Sequence, residues 1–173
     1  MNASNPIFCA IDTQDVSYAK NLTKMLTPHI GGIKLGLEFF TANGASGVRD
    51  IAALGLPVFL DLKFHDIPNT VAKAVKAAVT LDVSMLTIHT LGGTEMMRAA
   101  ANAAAEEAAR LGKPVPLILG VTVLTSMDDA AIHEIGIHHN THMQVMQLGM
   151  PKTPISRISP KKLLANVPKY VTT

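Results

Sequence analysis

The segment Asp61-Leu62-Lys63-Phe64-His65-Asp66 sets two carboxylates and an ammonium side by side in an otherwise apolar stretch. If it begins as a β-strand, Asp61 and Lys63, two positions apart, project from one face. Asp66 then falls in the loop that runs into Ile67-Pro68-Asn69-Thr70, and Lys34 in the preceding apolar block adds a second ammonium. Charges this close are costly away from water unless they pair. The expected solution is an alternating network of Lys34, Asp61, Lys63 and Asp66 that holds Lys63 oriented. An oriented ammonium among carboxylates suits electrostatic and proton-transfer chemistry. The plainer alternative is a brace of ion pairs, with Asp66 as a helix N-cap ahead of Pro68. Other apolar blocks also end in polar groups: Asp12 after the first, His89 after the fourth, Thr125 and Ser126 after the fifth.

Such groups converge only if the elements beneath them repeat. Short apolar blocks open at Ile7, Ile33, Val58, Met85 and Val115, at steps of 26, 25, 27 and 30 residues. Between them, residues 14–28, 37–54, 68–80 and 94–111 carry Ala, Leu, Val and Met at three- and four-residue spacing, which predicts helices. Strands alternating with helices argue for a parallel sheet. The regular step suits a (β/α)8 TIM-type barrel better than a doubly wound sheet, although periodicity alone leaves both open. In a barrel, the polar strand ends would meet at the C-terminal rim, where such folds place their active sites.

The pattern supplies five β/α units where a barrel has eight. At Leu148–Pro151 the texture changes to a Pro-, Ser-, Thr- and Lys-rich stretch. The expected organisation is a partial barrel domain over 1–148 and a divergent, irregular tail over 149–173, with at most one short helix near 160–166. A frameshift or splice junction is the simplest origin of that shift. Five strands would leave edges unpaired at the first and fifth, so the chain alone is expected to associate or aggregate.

Composition narrows the function classes. A net charge of +2 and the absence of Trp, with two Tyr and five Phe, argue against a nucleic-acid surface. No apolar run reaches the roughly 18 residues of a membrane span. The single cysteine, Cys9, excludes an internal disulfide, and the opening residues lack a signal-peptide pattern, so a cytoplasmic location is expected. His138, His139 and His142 would bring two imidazoles to one face of a helix, yet no further ligand lies nearby and a solvated face is the simpler reading. His65 and His89 are read as core or hydrogen-bonding residues, Gly92-Gly93 as a tight loop, and Met96, Met97, Met143, Met146 and Met150 as packing residues.

The stretch FLDLKFHDIPNTV (Phe59–Val71) resembles the D-x-K-x-x-D-I-P-N-T signature of orotidine 5′-phosphate decarboxylases. AID in the first block, IKLGLEFFTANG, LTIHTLGGTEMMRAA and VTVLTSMDD are similar to the same family and come in the same order, so the resemblance covers roughly residues 6 to 147. It implies decarboxylation of orotidine 5′-monophosphate to uridine 5′-monophosphate in pyrimidine synthesis, with no cofactor and no metal. Lys63 would deliver a proton to C6 of the pyrimidine, and Asp61 would sit near the departing carboxylate. Lys34 would link Asp61 to the ribose, whose hydroxyls Asp12 would bind. Ser126, with Thr125 beside it, would meet the pyrimidine ring in a loop that closes over substrate. Asp66 and Thr70 would reach into a partner subunit's site, which implies a homodimer.

The phosphate-binding glutamine and arginine of that family fall on segments without a counterpart here, and remote phosphate binding is what organises such a loop. A non-catalytic paralogue or interaction protein is therefore an alternative reading. A second is a related sugar-phosphate decarboxylase or aldolase; those use an acidic metal ligand on the second strand, where this chain has Lys34.

Overall fold

The structure, a computed structural model, describes residues 5–150. Five strands, β1 (Phe8–Ile11), β2 (Gly32–Leu35), β3 (Val58–Phe64), β4 (Met85–His89) and β5 (Leu117–Val121), alternate with helices α1 (Val16–Leu26), α2 (Leu37–Ala52), α3 (Pro68–Val79) and α4 (Gly93–Leu111). Two shorter helices follow, α5 (Asp129–Glu134) and α6 (Thr141–Gly149). All four strand pairings are parallel, in the order β1-β2-β3-β4-β5. That order separates the two folds that periodicity left open. A doubly wound sheet reverses direction at a switch point, whereas right-handed crossovers that always step the same way place every helix on one face. The chain is thus an α/β arc of the (β/α)8 type, and among the described residues it ends at β1 and β5.

Side-chain alternation divides the sheet into two faces. Ile33, Leu35, Val58, Leu60, Leu86, Ile88 and Ile118 are buried against Phe39, Val48, Ile51, Val75, Met96 and the alanines of α4. The opposite face is the barrel interior. At its lower end Phe8 meets Phe59 edge-on, with ring centroids 6.5 Å apart. Gly32, paired with Phe8 in the register, leaves room for that ring, since a Cβ there would strike it and lie 2.7 Å from the Pro57 carbonyl.

Helix signals in the sequence account for most boundaries. Asp15 caps α1 by accepting from the Ser17 and Tyr18 N–H groups, Pro68 opens α3, and Gly112 ends α4 at φ 64°. Three expectations need correction. The helix expected over 37–54 is kinked at Gly44 (φ 58°, ψ −157°), a conformation glycine adopts without strain. The fifth strand is shorter than its apolar block and stops at Val121, so Thr125 and Ser126 lie in the following loop. Of the methionines, Met96 and Met97 are buried, but Met143, Met146 and Met150 are exposed on or just beyond α6. The divergent tail lies outside the described residues except for Gly149 and Met150, as does the short helix expected near 160–166.

Candidate active site

The polar residues of β1 to β4 gather at the C-terminal ends of the strands. Asp61 and Lys63 share the interior face of β3, and Lys63 Nζ donates to Asp61 Oδ2 at 2.9 Å. Both are partly buried, with side-chain exposures of 30% for Lys63 and 18% for Asp61, so the pair is shielded without being sealed from solvent. Lys34 Nζ lies 3.1 Å from Asp12 Oδ1, one strand over. Gly36 adjoins this second pair: a Cβ there would sit 3.5 Å from Lys34 Nζ and 3.6 Å from Asp12 Oδ1, at ordinary contact distance.

The expected four-charge network is therefore two separate pairs. Lys34 bonds to Asp12, whereas Asp61 accepts from Lys63 and Thr87, one on each oxygen. Asp66 stands apart and exposed, its Oδ1 accepting from the Ile67 N–H at 2.7 Å. It is not the N-cap either: Ile67 occupies that position, without a side-chain cap. Thr70 is exposed on the first turn of α3. Thr125 and Ser126 are exposed in a turn closed by the Met127 N–H on the Leu124 carbonyl, and they make no hydrogen bond to the ion pairs.

Sequence reasoning missed Thr87. Its hydroxyl donates to Asp61 Oδ1 at 2.9 Å and accepts the Lys63 backbone N–H at 2.9 Å, and the residue is buried. A threonine inside Met-Leu-Thr-Ile-His reads as an ordinary β-branched strand residue; the signal was its place two before His89, on the interior face. Thr87 also secures an unusual backbone. Lys63 has φ 52°, a left-handed conformation that a residue with a Cβ seldom adopts. The β3–β4 register shifts between Leu60 and Phe64, so β3 bulges where Lys63 leaves the sheet.

His89 ends β4, its ring centroid 5.5 Å from that of exposed His65. Its Nδ1 is buried with no hydrogen-bond partner. Burial, then His65 and Lys63, lowers its pKa, against smaller opposing effects of Asp61 and the Val121 carbonyl. Burial and the nearby Asp12 push the Cys9 thiol up, away from thiolate chemistry. His138 and His139 precede α6, which starts at Thr141, so His138 and His142 do not share a helical face.

The family model for orotidine 5′-phosphate decarboxylase / HUMPS proteins matches residues 5–150. The orotidine 5′-phosphate decarboxylase of Ehrlichia chaffeensis is 52% identical over 145 residues, which cover 84% of this chain and 60% of that protein. The enzyme of the same name from Paramagnetospirillum magneticum is 49% identical over 144 residues, 83% of this chain and 61% of the relative. Among solved structures, orotidine 5′-phosphate decarboxylase from Lactobacillus acidophilus superposes with a TM-score of 0.73 at 32% identity, over 84% of this chain and 66% of that one. The chain thus spans about three fifths of the length of the curated relatives it matches.

Proposed function

The chain belongs to the orotidine 5′-phosphate decarboxylase / HUMPS family, and we propose that its rim is the proton-donating and ribose-facing part of an orotidine 5′-monophosphate decarboxylase site. The observation that carries this reading is the Lys63–Asp61 pair, held at 2.9 Å on the interior face of β3 and fixed by Thr87. In the proposed reaction the C6–carboxylate bond breaks, carbon dioxide departs, and the electron pair stays on C6. That pair occupies an sp² orbital with no adjacent carbonyl to take it up. The Lys63 ammonium stabilises it through space and passes a proton to C6, giving uridine 5′-monophosphate; solvent then reprotonates the amine. Asp61 lies beside the departing carboxylate, and Lys34 with Asp12 faces the ribose hydroxyls.

Thr125 and Ser126 would reach the pyrimidine only when their loop folds inward, as loops of this kind do around substrate. Asp66 and Thr70, exposed together with Ile67 at 66%, fit a surface covered by a second subunit, so the working form is proposed to be a homodimer. The proposed setting is the cytoplasm; no described helix is long and apolar enough to cross a membrane. The sugar-phosphate reading is weaker, because Lys34, paired with Asp12, places an ammonium where that chemistry needs an acidic ligand. The test is conversion of orotidine 5′-monophosphate to uridine 5′-monophosphate by the purified chain, followed by product chromatography. Conversion supports the reading. A folded sample that forms no product would favour the non-catalytic alternative.

A further inference from the structure

His89 belongs to neither ion pair, yet it stands where three parts of the rim meet. On one side is His65, two residues beyond Lys63 on the segment leaving β3. Behind it, Val121 is its register partner on β5, and Thr90 Oγ1 donates to the Val121 carbonyl at 3.0 Å, which ties the two strand ends together. His89 also lines a cavity of about 90 Å³, together with Leu124 and Met127 of the loop after β5 and Gln144 of α6. That loop carries Thr125 and Ser126. The His89 Nδ1 is buried without a partner. A polar atom in that state is unfavourable and rare in folded proteins, and each instance calls for a reason.

We propose that His89 is a positioning residue that registers the loop of residues 122–127 against the Lys63 turn, its imidazole wedged between His65 and the loop and its Nδ1 taking up a bond with the loop when the loop folds inward. The role depends on a neutral ring. The titratable groups that face it are Asp61 and Lys63 of β3 and His65 just beyond it; the residues from the loop and from α6 named above do not titrate. A proton on His89 would put a further cation next to Lys63 and His65, and burial together with these two outweighs the attraction of Asp61. Acidification should therefore release the loop from the turn.

The inference deepens the decarboxylase reading by giving that site a loop anchor, but its test needs neither substrate nor turnover. Histidine NMR titration of the full chain, with amide hydrogen exchange across residues 122–127, provides both readouts. On going from about pH 7.5 to about pH 5, loop exchange corrected for intrinsic rates should rise about fivefold or more, tracking the His89 titration. In His89→Asn it should be raised at both pH values and flat between them. His65→Gln should raise the His89 pKa and shift the loop transition with it. Loop protection in His89→Asn that matches wild type, or wild-type loop amides unmoved while His89 titrates, would overturn the proposal. The wild-type titration decides the matter even if the Asn variant fails to fold.

Discussion

Thr87 and Asp61 face each other across the β4–β3 boundary, joined by a 2.9 Å bond from the threonine hydroxyl to Asp61 Oδ1. The same hydroxyl accepts the Lys63 backbone N–H, so one neutral side chain fixes both the carboxylate and the main chain of its ammonium partner. Replacement by valine keeps the shape and removes both bonds. Thr87→Val should lower stability by about 1–3 kcal/mol, because a partly buried carboxylate oxygen and an N–H lose their partner. Urea unfolding midpoints measure this, and Thr87→Ser should recover most of the loss.

A second prediction concerns the floor of the barrel. At Gly32 a Cβ would strike the Phe8 ring and the Pro57 carbonyl, and the carbonyl, being backbone, cannot swing aside. Gly32→Ala should therefore cost about 1–3 kcal/mol through overpacking. Gly36→Ala, where the nearest atoms lie at ordinary contact distance, should unfold at a urea midpoint close to that of wild type.

Acid should loosen α6. Asp129 Oδ1 accepts from Thr141 N at 2.7 Å and Thr141 Oγ1 at 2.6 Å, which ties the start of α5 to the start of α6. These bonds hold the Asp129 carboxyl below the usual carboxylate range. A group whose pKa is depressed on folding stabilises the fold above its unfolded value and loses that contribution as pH falls through the folded one. Hydrogen exchange in α6, corrected for intrinsic rates, should accelerate below about pH 4, the ordinary aspartate value. In Asp129→Ala the α6 amides should exchange quickly at neutral pH as well, with no further acid step.

Self-association should depend on the loop before α3. Ile67 is 66% exposed between Asp66 and Pro68, with Thr70 exposed nearby. Sedimentation of the wild-type chain should show a species larger than the monomer, and Ile67→Glu should shift it towards the monomer without changing its far-UV circular dichroism. Monomeric wild-type protein would count against the proposed dimer.

Residue types and spacing foretold the elements whose physics is local. Apolar blocks 25 to 30 residues apart marked all five strands, and three- and four-residue spacing marked the helical stretches between them, one of which opens at Pro68, because these patterns act over a few residues. What depends on neighbouring strands was less legible. The pairing of Lys34 with Asp12, and the bond to Asp61 from Thr87, 26 residues away, form between strands that only the folded sheet brings together. The left-handed backbone of Lys63 was beyond reach as well, since lysine carries no preference for positive φ and the bulge is set by the β4 register.

The most direct test compares Lys63→Arg and Lys63→Ala with wild type in orotidine 5′-monophosphate decarboxylation. Arginine keeps a positive charge that can pair with Asp61 but does not give up its proton at any working pH. If Lys63 delivers the proton to C6, both variants should lose turnover by about 100- to 10,000-fold. Turnover retained by Lys63→Arg would reduce the lysine to a source of charge, and turnover retained by Lys63→Ala would contradict the account outright.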